Sequence, residues 1–268
     1  MAETTANGIR IHYQSLGAGL GDDRLVVLLH GLVMDNLSSW YFTIANPVAC
    51  HAEVLLYDLR GHGKTVRPKS GYSVDHQVDD LKALLDTLGH ADRPLELVGN
   101  SFGGLLALSF ARRYPELVRG LALVDAQVHN ESWGEEMRAS LSLEGDDLMK
   151  AIETNFRHWL GRHSERKRNR LGSNAYELVH QTSMIEDLSS SPAPSQDGIE
   201  LLPFPVRAIY GEHSDVRERG EQLAASFRDC ELTIHADSTH SVLWEQTSVV
   251  RDAVLAWTTR DLPKQAPN

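Results

Sequence analysis

Cysteine is nearly absent from this chain: of 268 residues only Cys50 and Cys230 carry a thiol. Neither sits in a metal-ligand spacing, and a pair cannot build a disulfide scaffold, so both read as reduced, part-buried residues of a cytoplasmic protein. Positive charge is also in deficit. Lys and Arg number 26 against 37 Asp and Glu, a formal net charge of −11, which opposes nucleic-acid or anionic-membrane partners. No window approaches the ~20 apolar residues of a membrane span. The opening stretch MAETTANGIRIHYQSLGAG lacks both the basic and the apolar region of a secretion signal. Internal repeats and long low-complexity segments are missing as well. What is left is an ordinary globular balance, 41% hydrophobic and 24% charged, in a chain long enough for one large domain or two small ones.

Short β-rich apolar runs recur along the chain: RLVVLLH (Arg24–His30), EVLLYDL (Glu53–Leu59), LELVG (Leu95–Gly99), LALVDA (Leu121–Ala126), VRAIYG (Val206–Gly211) and CELTIHA (Cys230–Ala236). Several are apolar on consecutive residues, as strands covered on both faces must be. Helical patterns separate them, which predicts an α/β fold with a mostly parallel sheet. GIRIHYQSL (Gly8–Leu16) alternates instead and predicts an antiparallel edge hairpin. In SVDHQVDDLKALLDTLG, Ser73 caps a helix and Gly89 stops it. VLWEQTSVVRDAVLAW predicts one closing helix.

From about Gln127 to Leu202 the strand–helix rhythm stops. WGEEMRASLSLEGDDLMKAIETNFRHWLG and ERKRNRLGSNAYELVHQTSMI are helical in pattern, and a Ser/Pro-rich link, SSSPAPSQDG, follows. The expected organisation is a core of residues 1–126 and 203–268, with residues 127–202 inserted as a helical cap. Trp133, Met137, Phe156, Trp159, Tyr176 and Met184 are expected mainly to pack that cap on the sheet and in part to line an apolar pocket.

LVGNSFGGLLAL (Leu97–Leu108) places Ser101 between two glycines, after a strand and before a helix. Such a turn strains its central residue and lifts a hydroxyl to the top of the sheet, where it can act as a nucleophile. Attack on a carbonyl also needs a base, a group that orients the base, and donors for the oxyanion. His30-Gly31-Leu32 follows the LVVLL strand, so the Leu32 N–H is one candidate donor and the Phe102 N–H the other. His30 itself reads as a structural histidine. Of 13 histidines, His240 lies on the loop after the last strand, the rim that also carries Ser101, and is the candidate base. Asp215, after the VRAIY strand, is the candidate acid; Glu212 and Asp125 are its rivals.

LLHGL, YDLRGHGKT, GNSFGG, YGEHSD and STHSVLWEQ, taken in that order, resemble the successive signature blocks of the α/β-hydrolase superfamily. The resemblance implies an α/β-hydrolase fold: an eight-stranded, mostly parallel sheet flanked by helices, with a helical cap and a Ser101–Asp215–His240 triad. It makes His62, in LRGHG, part of a loop that shapes the rim. Many members space the acid as G-x-x-D, whereas Gly211 and Asp215 stand one residue further apart. GNSFGG is also similar to the elbow of C–C hydrolases of aromatic degradation.

The expected activity is serine hydrolysis of an ester or thioester of a medium-sized apolar acid, through an acyl-enzyme and with no metal or organic cofactor. The partner is then a small-molecule acyl substrate, of which a coenzyme A or carrier-protein thioester is one form. The ERKRNR run (Glu165–Arg170) is a docking candidate for such a carrier, although solvated helix faces carry similar runs. Alternatives of the same chemistry are C–C cleavage of a vinylogous diketone and acyl transfer. A binder that performs no chemistry is the alternative of a different class.

Overall fold

The computed structural model describes residues 2–17, 24–145, 147, 150, 165–192 and 198–260. Its centre is one sheet of eight strands: β1 (Ala2–Ala6), β2 (Ile9–Leu16), β3 (Leu25–Leu29), β4 (Glu53–Tyr57), β5 (Leu95–Asn100), β6 (Val118–Val124), β7 (Val206–Gly211) and β8 (Cys230–His235). They lie in the order β1-β2-β4-β3-β5-β6-β7-β8. β2 is antiparallel to both its neighbours, and every pair from β4 onward is parallel.

The stretch Gly8–Leu16 is not a hairpin in itself: Ile9–Leu16 is one strand, β2, and its antiparallel partner is the preceding β1, joined to it by an Asn7-Gly8 turn. Both residues take positive φ, +46° and +73°, as a two-residue turn matched to strand twist demands. β6 begins at Val118, three residues before the predicted run, because the 3₁₀ turn Pro115–Leu117 feeds directly into it.

Side chains alternate across a strand, and the central strands are buried on both faces. Val27, Leu29, Leu55, Tyr57 and Leu97 face one layer with Leu81, Leu84, Leu105 and Phe110. Val26, Leu28, Val54, Leu56 and Val98 face the other, with Trp40, Ile44, Val250 and Val254. The first layer is made by α1 (Val74–Thr87) and α2 (Phe102–Arg113). Burying each such side chain contributes roughly 1.5–3 kcal/mol. Ser73 caps α1 by accepting from the His76 N–H at 3.2 Å, and Gly89 ends it at φ +83°.

Between β6 and β7 the described residues form α3 (Trp133–Leu141), α4 (Glu165–His180) and α5 (Met184–Ser189). Trp133 and Met184 are fully buried while Tyr176 is exposed, so the expected packing role fits the first two and not the third. Met137 is half-buried against the same core. Phe156 and Trp159 lie outside the described residues.

After β7 come α6 (Arg217–Ser226), β8, α7 (Val242–Glu245) and α8 (Thr247–Thr259). The predicted closing helix is thus two, broken at Gln246, whose φ of −119° and ψ of 40° leave the helical region. Cys50 is exposed, contrary to the expected part-burial, and Cys230 is half-buried. Among the described residues no helix is long and apolar enough to cross a membrane.

Candidate functional site

Ser101 stands between β5 and α2 with φ +54° and ψ −119°, a conformation that costs of order 1–3 kcal/mol for a residue with a side chain. Its neighbours explain how the turn is held. A Cβ on Gly103 would run into the carbonyl oxygen of Leu29 on the adjacent strand, and one on Gly99 into the carbonyl of Gly103. Ser101 N–H donates to Val124 O at 2.9 Å, and Ser101 O accepts from the Gln127 N–H at 3.0 Å. The elbow is therefore stitched to the end of β6 as well as to its own helix.

His240 reaches the elbow from the loop after β8, its Nε2 2.9 Å from Ser101 Oγ. That loop is braced by Glu245, which accepts from Thr239 N–H at 2.7 Å and from Thr239 Oγ1–H at 2.9 Å. The brace arises because the α7 turn brings Glu245 back over Thr239. Nothing in STHSVLWEQ read by itself signals it.

On the far side of the imidazole, Nδ1 lies 3.4 Å from Asp215 Oδ1 and 3.5 Å from Ser214 Oγ. The Asp215 side chain is 68% exposed, that of His240 13%. The rivals of Asp215 are placed differently. Glu212 turns outward and accepts from the Asp237 N–H at 3.0 Å. Asp125, just past β6, is fully buried at φ +45°. Burial pushes its carboxyl up to about 6, with the charges of His240 and the hydroxyl of Ser214 pulling the other way.

The loop after β3 has an ordered set of amide partners. Gly31 N–H donates to Asp35 Oδ2 at 2.9 Å and Val33 N–H to His62 Nε2 at 2.8 Å. Met34 N–H donates to Leu32 O at 2.9 Å, closing a tight turn around Val33 at φ +66°. The Leu32 N–H, between them, has no internal acceptor among the described residues, and neither has the Phe102 N–H at the start of α2.

Two buried histidines set this loop. His30 Nδ1 donates to Gly31 O at 2.7 Å while its Nε2 accepts from the Leu59 N–H at 3.0 Å. His62 Nδ1 donates to Arg60 O at 2.8 Å. Burial lowers both, His62 to about 4 and His30 well below the usual imidazole range, so each stays neutral and keeps one acceptor nitrogen. Asp35 carries the opposite shift: burial pushes its carboxyl up to about 7, against the Gly31 and Asn36 amides that favour its charge.

The surroundings are apolar. Leu171 and Ala175 of α4 pack with Met34, Val33 and Trp244, a cluster at the loop after β3 and the helix after His240. The Phe102 ring stacks on Trp133 of α3 at 6.4 Å between centroids. Glu212, His213 and Asp237 bring one ligand atom each within 4.8 Å of one another on the exposed rim. They are the grouping with metal-ligand chemistry among the described residues.

A family model described as the alpha/beta hydrolase fold matches residues 24–198. Among curated proteins, the chain is 40% identical over 124 residues to a 2-hydroxy-6-oxo-2,4-heptadienoate hydrolase of Pseudomonas putida, covering 45% of this chain and 42% of that one. It is 33% identical over 121 residues to human epoxide hydrolase 4, covering 44% and 32%. The chain thus aligns with less than half the length of these relatives. Among solved structures, an enol-lactonase from Burkholderia xenovorans LB400 superposes with a TM-score of 0.76 at 22% identity, over 97% of this chain and all of the other. A meta-cleavage product hydrolase from Pseudomonas fluorescens IP01 gives 0.76 at 24%, over 96% and 97%. At these identities the structural likeness speaks to the fold.

Proposed function

The chain belongs to the alpha/beta hydrolase fold family, and from that premise we propose that it is a serine hydrolase that cleaves an ester or thioester of a medium-sized apolar acid. The observation that carries this reading is the 2.9 Å approach of His240 Nε2 to Ser101 Oγ on an elbow strained to hold that hydroxyl outward. A nucleophilic serine argues against epoxide opening in the manner of family members that use an aspartate there.

In the first half-reaction the Ser101 oxygen attacks the acyl carbon while His240 Nε2 takes its proton. Asp215 holds Nδ1 and stabilises the imidazolium. The charge that forms on the carbonyl oxygen is received by the Leu32 and Phe102 N–H groups, which the rest of the loop leaves without partners. As the bond to the alcohol or thiol breaks, His240 returns the proton to the leaving group. Water, deprotonated by the same imidazole, then releases the acid and restores Ser101. The described helices α3, α4 and α5 act as the cap, and Leu171, Ala175, Met34 and Trp244 suit an apolar acyl group. A coenzyme A or carrier-protein thioester falls within the same class.

One observation favours a second reading, hydrolysis of a C–C bond in a vinylogous diketone: the likeness to the heptadienoate hydrolase. A matched panel separates the two. It contains oxygen esters and thioesters of the same acids at several chain lengths, plus 2-hydroxy-6-oxo-2,4-heptadienoate, with Ser101→Ala as blank. Ester or thioester turnover peaking at one chain length supports the first reading. Turnover of the diketone alone puts the second in its place. A Ser101→Ala protein as active as wild type overturns both.

A further inference from the structure

The peptide that carries the Leu32 N–H is aimed through its carbonyl. That carbonyl belongs to Gly31 and accepts from His30 Nδ1 at 2.7 Å, and the N–H of a trans peptide points the opposite way. The next peptide is held at both ends. Leu32 O accepts from the Met34 N–H at 2.9 Å, and the Val33 N–H donates to His62 Nε2 at 2.8 Å. The result is a three-residue turn of the rare, strained hand, with Val33 at φ +66°. For a β-branched residue that region is an outlier, and it persists only where the surroundings over-determine it. Part of those surroundings belongs to the cap. Met34 and Leu171 of α4 are buried together, and Val33, Ala175 and Trp244 pack around that pair. α4 is itself tied to the core: Arg67 Nη1 donates to Glu177 Oε2 at 2.5 Å, and Leu178 covers Gly61 so closely that a Cβ there would lie 2.6 Å from Leu178 Cδ1.

We infer that Leu171 is a positioning residue: from cap helix α4 it clamps the strained turn at Val33 closed and so keeps the Leu32 amide aimed. This rests on the serine-hydrolase reading above. Without the clamp, the less strained course for Val33 is a return to negative φ. That breaks the bond from Met34 N–H to Leu32 O and rotates the peptide that follows Leu32. The Leu32 N–H then spreads over several directions, whereas an oxyanion donor works only if its aim is set before the charge develops. The cap thus takes part in the chemistry as well as covering the acyl group. The two uses of this apolar cluster leave different signatures. A wall for the acyl group binds ground state and transition state alike, so it acts on KM and grows with chain length. A clamp on the donor acts on the transition state alone, so it acts on kcat and is the same for an acetyl group as for a longer one.

The test compares wild type, Leu171→Ala, Leu171→Val, Val33→Gly, the Leu171→Ala/Val33→Gly double variant and Ser101→Ala. Substrates are p-nitrophenyl esters from acetate to octanoate, with Tm measured for each protein. A short alkyl trifluoromethyl ketone reports on the oxyanion site directly. Ser101 Oγ bonds its carbonyl carbon, the serine proton passes to His240, and the carbonyl electron pair becomes the oxyanion. The expected result for Leu171→Ala is a loss of about tenfold in kcat, part of the roughly 10²–10³ that a whole donor contributes. The factor is the same at every chain length, KM stays within about threefold, and Ki of the ketone rises as kcat/KM falls. Leu171→Val shows a smaller loss of the same kind and carries the test should Leu171→Ala fail to fold. Glycine at position 33 has no strain for the cap to oppose, so adding Leu171→Ala to Val33→Gly costs little further. A KM that rises with chain length at constant kcat overturns the inference. So do losses that multiply in the double variant, and a loss that follows Tm with Ki unchanged. If Ser101→Ala is inactive while the Leu171 variants match wild type, only the role of Leu171 fails. If Ser101→Ala stays active, the serine reading fails and takes this one with it.

Discussion

The His240 imidazole lies 2.9 Å from the Ser101 hydroxyl although 139 residues separate the two, and each is delivered by its own backbone device. Ser101 sits on a strained turn that glycines make room for; His240 rides a loop tied down by Glu245. Because the pair acts as a unit, losing either member is expected to be nearly as damaging as losing both. Ser101→Ala and His240→Ala should each lower kcat by roughly 10³–10⁶-fold, and the double variant should fall little further. Single-turnover rates on one ester check this. Multiplicative losses would mean that the two side chains act separately.

The loop after β3 is expected to matter through its shape. Asp35 and His62 touch the Gly31 and Val33 amides on either side of Leu32, so removing them lets the Leu32 N–H drift from the developing oxyanion. Loss of one oxyanion donor costs about 10²–10³ in kcat, and a loosened one should cost part of that. Asp35→Ala and His62→Ala should therefore lower kcat by about 10–100-fold and leave KM within a few-fold. Steady-state kinetics on a short-chain ester decides it. A rise in KM at constant kcat would assign both residues to substrate binding instead.

Two glycines make opposite predictions for stability. At Gly103 an added methyl meets the Leu29 backbone carbonyl, which cannot move without opening the sheet. Gly103→Ala should be destabilised by roughly 1–3 kcal/mol or more. Gly172, exposed on α4, has nothing within 4 Å of its would-be Cβ. Gly172→Ala should gain about 0.5–1 kcal/mol from helix propensity. Thermal melts of the two proteins should therefore shift in opposite directions.

The pH dependence of Asp125 follows from the sign of its shift. Its carboxyl, pushed up to about 6 by burial, binds a proton more tightly folded than unfolded. Its contribution to stability is thus complete below the unfolded value near 3.8 and is withdrawn as pH rises through 6. Asp125→Asn carries no such penalty. Its Tm should match wild type near pH 4 and exceed it at pH 7 and above. Melting curves across that range would show the reverse trend if the charge is compensated in the fold.

Most of the sheet was legible in the sequence because burial on both faces forces consecutive apolar residues, as in LVVLL and LELVG. The elbow was legible because only glycine permits the approach of β3 to α2. The break at Gln246 was not: VLWEQTSVV keeps a helical apolar period, and the interruption comes from Glu245 turning back to Thr239. β1 was missed because AETTA is a polar edge strand with one buried residue, although Asn7-Gly8 marks its turn. Asp35 gave no signal at all. A lone acid four residues past a glycine becomes an amide acceptor only when the loop folds over it. Asp215 was legible as the candidate acid from its place after the VRAIY strand, but the burial of Asp125 and the exposure of Asp215 were not, since they depend on how two different strands end.

The most direct test of the central claim is covalent. Wild type and Ser101→Ala are treated with an alkyl fluorophosphonate, and the intact masses and the modified peptide are determined. The expected result is one adduct per wild-type chain, mapped to Ser101, and none on folded Ser101→Ala. Failure of folded wild type to label, or an adduct on another residue, would contradict the assignment of Ser101 as an activated nucleophile.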